Sequence, residues 1–149
     1  MTRTTIHRSI NAPVQVVFDT VAHIDNFRKA IPDILDVEYT SDVQNGIGAR
    51  FKETRDMNGR TATVELEVTD YAENDRVRLV SDAGGTVWDT VFTTEATEEG
   101  TSLTMVMDAK PHKFLAKLFI PITKGMIRKS IEKDMDAVKA YCEKHIQNP

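Results

Sequence analysis

Apolar residues along the chain change their spacing three times. Over residues 4–10 they alternate with polar ones, the period of a strand with one face in a core. The "NAP" at 11–13 ends the alternation: Pro13 suits the first turn of a helix and Asn11 its cap. Val14, Val17, Phe18, Val21 and Ala22 then follow at helical spacing, and a second short helix over "DNFRKAI" stops before Pro32. From Ile34 the period returns to two. Strands are expected near residues 35–41, 49–57, 60–71, 76–81, 86–95 and 102–109, joined by "NGIG", "NG", "END", "GG" and "EEG". Asn58-Gly59 is a two-residue hairpin turn in which both positions tolerate positive φ, so these strands read as consecutive antiparallel hairpins. Alternation also assigns faces. Val64, Leu66 and Val68 point one way and Thr63, Glu65 and Glu67 the other, while Val77 and Leu79 oppose Arg76 and Arg78. Glu65 and Glu67 are thus expected to meet Arg76 and Arg78 on the wet face, as a structural ladder.

The last change, after Lys113, is to a helix expected over residues 113–145. Its apolar stripe has two phases: Leu115, Phe119, Ile122 and Met126 share one face, and Ile127, Ile131, Met135, Val138 and Cys142 another. The shift of phase falls at Pro121–Gly125. Proline inside a helix costs roughly 3 kcal/mol, so this break re-aims the helix.

At 149 residues the chain reads as one domain, 1–149, long enough to bury a real core. The net charge of −4 gives no reason to expect nucleic acid as a partner. Locally the balance reverses: no Asp or Glu lies between Asp108 and Glu132, whereas Lys110, Lys113, Lys117, Lys124, Arg128 and Lys129 all do. The N-terminus has no apolar signal region and no run is long enough for a membrane span, so the expected location is cytoplasmic.

Candidate chemistry is sparse. The one cysteine, Cys142, has no partner for a disulfide or a zinc motif and reads as a small buried helix residue. The four histidines (His7, His23, His112, His145) lack metal-ligand spacing, "GIG" at 46–48 lacks the context of a phosphate loop, and no serine sits in a nucleophile elbow. No metal and no cofactor is expected. The exception is "FKETRDM". If Phe51 and Met57 face inward, Glu53 and Arg55 share that face between apolar neighbours. Two readings stay open: a structural ion pair or rim position, or groups that bind a ligand's polar head or act on it as acid and base. Parity adds Tyr39, Asp70, Ser81, Trp88 and Thr90 as inward-facing residues, and places Met105 and Met107 on the face of Leu103.

The order strand, two short helices, six antiparallel strands and long C-terminal helix is the helix-grip arrangement. "RSINAPVQVVFDTVAHIDNFRKAIPDI", "GIGARFKETR", "EEGTSLTM" and "MIRKSIEKDMDAVKAY" resemble the corresponding stretches of the START and birch-pollen-allergen-like (SRPBCC) superfamily, nearest to its bacterial polyketide cyclase/dehydrase and lipid-transport-like subgroup. The resemblance covers almost the whole chain. It implies an α+β fold, a curved seven-stranded antiparallel sheet wrapped around the long helix, with a cavity between them for a small hydrophobic or amphipathic molecule.

On parity and this resemblance, the ligand-lining residues are expected to be Phe51, Glu53, Arg55, Leu66, Trp88, Thr90, Phe92, Leu103, Met105, Leu118 and Ile122. Three functions follow from the same frame. The first is a carrier or sensor for a lipid-like or polyketide/aromatic ligand. The second is a polyketide cyclase or dehydratase with Glu53 as acid or base and Arg55 as electrostatic partner. The third is an interaction module, as in co-chaperone relatives. No specific catalytic set of the cyclases matches residue by residue. Two readings of the stretch from Phe114 to Ser130 stay open: a kinked helix with both apolar faces buried and its lysines solvated, or a segment that covers one end of the cavity and touches an anionic membrane surface or a protein partner transiently.

Overall fold

The computed structural model describes residues 1–147. Strand β1 (Thr2–Ile10) leads through two short helices, α1 (Val14–Ala22) and α2 (Ile24–Ala30), into six strands: β2 (Ile34–Tyr39), β3 (Arg50–Met57), β4 (Arg60–Ala72), β5 (Arg76–Ala83), β6 (Thr86–Thr97) and β7 (Gly100–Pro111). Helices α3 (Phe114–Ile122) and α4 (Lys124–Gln147) follow. The seven strands form one antiparallel sheet in the order β1-β7-β6-β5-β4-β3-β2, so each hairpin adds a strand beside the last and β1 closes on β7.

The inner face of the sheet carries the apolar positions and is covered by helices. Phe18 of α1 meets Tyr71 edge-on, Phe27 of α2 meets Phe92, and Ile131, Met135, Val138 and Cys142 of α4 complete the core with Ile6, Ile10, Val68, Val77, Leu103 and Met105. Cys142 is fully buried, its thiol 3.5 Å from the Thr20 hydroxyl. Asn58 and Gly59, at φ 57° and 89°, turn the β3–β4 hairpin. Gly100 is a closer constraint: at φ 146° a Cβ there would stand 2.3 Å from the carbonyl oxygen of Ile10, so the β6–β7 turn seats against the end of β1 only without a side chain.

Three expectations change. Helix α1 starts one residue after Pro13, which is itself the N-cap; the Asn11 side chain does not cap, and its backbone N–H instead donates to Glu143 Oε2 on α4 at 2.9 Å. The C-terminal helix is two helices: it ends at Ile122, one residue after Pro121, and restarts at Lys124, with the Thr123 hydroxyl donating to the carbonyls of Phe119 and Ile120 at the break. The third change is in the outer ladder. A bulge in β4 between Val68 and Asp70 reverses the parity of the rest of that strand. Asp70 therefore lies on the outer face, bonded to Arg76 at 2.7 Å, and Tyr71 turns inward in its place. Glu65 and Glu67 pair with Arg50 of β3, while Arg78 binds Asp89 of β6.

Candidate functional site

The inner face has two unequal ends. Toward α1 and α2 the side chains of Phe51, Val68, Val77, Phe92, Leu103 and Met105 are buried and packed. Leu66, Leu79 and Met107 are only half-buried and pack against this same core, and Trp88 is half-buried against α3, although Leu79 and Trp88 sit on central strands with a partner on each side. A side chain there can meet solvent only from the helix layer above it. The covering is thin: α3 contributes Ala116 and Ile120, which pack on Ala109 with Trp88 and Ile127. We read this part-wet apolar surface beside α3 as the candidate cleft.

Two hydroxyls stand inside this apolar surface. Thr90 and Ser81 are both buried, and the Ser81 Oγ has no hydrogen-bond partner among the described residues. Such a group costs roughly 1–3 kcal/mol unless something satisfies it. The Trp88 indole N–H donates to the Ala83 carbonyl at 3.2 Å, which fixes the ring along its own hairpin.

Beside the cleft, β3 and α4 are joined by an ionic cluster. The Arg55 guanidinium donates through Nε to Glu53 and through Nη1 to Asp134 Oδ2, the latter at 2.9 Å. All three side chains are largely out of water. Burial pushes the Asp134 carboxyl above its ordinary range; Arg55 opposes this, and the Glu53 charge adds to it. For Arg55, desolvation is the largest influence and lowers its value, yet the two carboxylates together hold the guanidinium above it. One cation is thus shared by two acids, and neither Glu53 nor Arg55 is left as a free acid or base.

The expected ligand residues consequently separate into four groups. Leu66, Trp88 and Thr90 lie at the half-open end. Phe51, Phe92, Leu103 and Met105 share their face but belong to the packed end, and Glu53 and Arg55 are in the ionic cluster. Leu118 and Ile122 are on the outside of α3, 51% and 77% exposed, and point away from the sheet because Ala116 and Ile120 occupy the inward side. Reading the sequence did not single out Asp134. It lies roughly 20° from Ile127, 40° from Val138 and 60° from Ile131 at about 100° per residue, and an acid bordering an apolar stripe is the signal that marks it.

Other features lie apart from the cleft. A depression of about 610 Å³, lined by polar residues such as Asn11, Glu98, Glu99, Lys139 and Glu143, is at the opposite end of the sheet. A second, of about 360 Å³, is on the outer face near Asp75, Glu95 and Thr104. Among the described residues no group of His, Cys, Asp and Glu is placed to hold a metal ion, and no helix is long and apolar enough to cross a membrane.

A sheet that grips a long C-terminal helix, with two short helices after the first strand, is the helix-grip fold of the START and birch-pollen-allergen-like class. Within it, the chain belongs to the polyketide cyclase/dehydrase and lipid transport family, whose model matches residues 1–143. The fold is similar to that of Ara h 8.0201, at 17% identity over 95% of this chain and 97% of that one, with a TM-score of 0.74. TTHA0849 from Thermus thermophilus is 13% identical over 93% of this chain and 95% of that one, with a TM-score of 0.75. The di-domain ARO/CYC StfQ from the steffimycin biosynthetic pathway is 14% identical over 97% of this chain but 51% of its own, with a TM-score of 0.80. No curated protein sequence matches significantly.

Proposed function

We propose that the chain is a carrier or sensor that binds a small hydrophobic or amphipathic molecule at the α3 end of the inner sheet face. The observation that carries this reading is the half-buried state of Leu66, Leu79 and Met107 against the main core and of Trp88 beneath the thinly attached α3. Apolar side chains left part-wet on central strands gain about 25 cal/mol for each Å² that a ligand covers. The unpartnered Ser81 hydroxyl gives the same surface one polar contact that a ligand oxygen or amide would satisfy. A lipid-like or aromatic molecule with one polar group fits this chemistry. The cyclase reading has less support, because the ionised groups beside the cleft, Glu53, Arg55 and Asp134, are already paired with one another.

Trp88 is the sole tryptophan and reports on the site directly. A neutral apolar fluorophore is expected to gain emission on binding, to perturb Trp88 emission, and to be displaced by fatty acids or polycyclic aromatics. Leu79→Trp, which fills the half-open end, should weaken uptake at least about tenfold, the equivalent of about 1.4 kcal/mol. Absence of binding across a broad panel, or binding indifferent to Leu79→Trp, refutes the reading.

A further inference from the structure

Large apolar residues are concentrated on one outer surface of the molecule. Of the eleven large hydrophobic side chains exposed to solvent among the described residues, six belong to α3 and the first turn of α4: Phe114, Leu115, Leu118, Phe119, Ile122 and Met126. Their exposure runs from 51% for Leu118 to 77% for Ile122, so these are protruding side chains rather than the edges of a core. At about 100° per residue, Phe114, Leu118, Ile122, Leu115 and Phe119 fall within an arc of roughly 140°. Ala116 and Ile120, the residues that hold α3 to the sheet, lie outside that arc. The helix is apolar on two sides, and only the narrower side is used by the fold.

The surroundings of this arc carry one sign of charge. Lys113, Lys117, Lys124, Arg128 and Lys129 lie along the same stretch, which contains no Asp or Glu from residue 109 to residue 131. Lys113, Lys117, Lys124 and Lys129 have no carboxylate partner among the described residues, and Arg128 has Glu132 one turn on. Asp82, at the end of β5 near the start of α3, is bonded to His112 at 2.8 Å.

We infer that α3 and the first turn of α4 form a docking surface for an anionic lipid membrane, with the apolar arc entering the headgroup boundary and the lysines meeting acidic headgroups. Charge complementarity selects this occupant. A second copy of the chain docked across a twofold axis would bring the two sets of lysines and Arg128 together, a like-charge contact that an isologous interface cannot avoid. An apolar arc rimmed by cations is the pattern that binds at an anionic bilayer surface. The inference does not depend on a ligand in the cleft, and the two are tested separately.

The test is flotation of the full chain with vesicles of phosphatidylcholine alone and of phosphatidylcholine mixed with phosphatidylglycerol. Binding is expected to the mixed vesicles and to weaken as salt is raised, because exposed charges are screened. Lys117→Gln and Lys124→Gln should each reduce partitioning about fivefold. Phe114→Ser and Phe119→Ser should each reduce it about tenfold. All four side chains are exposed, so melting temperatures should stay unchanged and a loss of binding will not be a loss of fold. Three results overturn the inference: no flotation with anionic vesicles at low salt, equal flotation with neutral ones, or a dimer in sedimentation that Phe119→Ser dissolves. Uptake of the neutral fluorophore alongside failed flotation would remove the membrane surface and leave the cleft.

Discussion

Replacing Arg55 by Met tests whether the cluster between β3 and α4 is a structural latch. The substitution removes the one cation that Glu53 and Asp134 share and leaves both carboxylates facing each other. Removing one partner of a buried ion pair costs about 3–5 kcal/mol. The side chains of Arg55, Glu53 and Asp134 keep 20%, 9% and 15% exposure, so some water reaches them and the lower end, about 3 kcal/mol at neutral pH, is expected. For a chain of this length that is a fall in melting temperature of about 6–12 °C.

The pH dependence carries a definite sign. The folded-state value of Asp134 is raised, so the folded chain holds its proton to higher pH than the unfolded chain. Its contribution is most favourable below the unfolded value and declines as pH rises through the folded one, at no more than about 1.4 kcal/mol per pH unit for one proton. Without Arg55 that window moves upward, and the Arg55→Met loss should be smaller at pH ~5 than at pH ~7. Urea unfolding at the two pH values measures this. The triple variant Arg55→Met, Glu53→Gln, Asp134→Asn should recover most of the loss, because no uncompensated charge remains. A loss under about 1 kcal/mol, an equal loss at both pH values, or three additive losses would refute the latch.

Three further outcomes follow from single contacts. Asp89, held by Arg78 at 2.6 Å and Lys110 at 3.1 Å, has its carboxyl lowered from 3.8 to about 2, so Asp89→Asn should cost about 1–2 kcal/mol at neutral pH. In acid titrations of wild type this contribution, present above 3.8, should fade as pH falls through about 2. Gly100→Ala should destabilise by more than about 2 kcal/mol in thermal unfolding, since its Cβ would press on the Ile10 carbonyl and the Ala12 nitrogen; an unchanged melting temperature would contradict that contact. Cys142 is buried and its thiol is raised by desolvation, so thiol reagents should label it only at the rate at which the chain unfolds.

Most of the architecture could be read from the spacing of apolar residues, because a half-buried sheet forces a period of two and a packed helix a period near 3.6. Inward Phe51, Glu53, Leu66, Trp88, Phe92, Leu103 and Met105 all follow from parity, and they share one face in the structure. Parity failed after Thr69, where a bulge leaves no compositional mark: Thr69 is neither glycine nor flanked by a turn signal, and Asp70 exchanged faces with Tyr71. Alternation also says nothing about how far a helix stands above a strand. Leu66 and Phe51 are register partners across β3 and β4, yet one is half-buried and the other packed, a difference set by where α1, α2 and α4 come to rest. The outer surface of α3 escaped for a related reason. Leu118 and Ile122 are apolar, and apolarity alone assigned them to the interior.

The attachment of α3 bears on how a ligand would reach the cleft. Its start is tied to the β5–β6 turn, where the Gly85 carbonyl accepts from the backbone N–H groups of His112 and Lys113 at 2.8 and 3.1 Å, and its end is tied through Thr123. Between these points only Ala116 and Ile120 are buried. Lifting them exposes one large and one small apolar side chain, about 2–4 kcal/mol, against a global stability of about 5–15 kcal/mol for an ordinary domain. Helix α3 should therefore open without the rest of the chain unfolding, whereas Met135 and Val138, 1% and 0% exposed, should open only with the whole core. Native-state hydrogen exchange distinguishes the two: the amides of Leu118, Phe119, Ile120 and Ile122 should exchange at least about tenfold faster than those of 135–138 and respond weakly to denaturant, as local openings do. Ile120→Ala should speed the first group further and leave the second nearly unchanged. Equal protection of both groups would mean that α3 is part of the global unit, and a ligand would then need another way in.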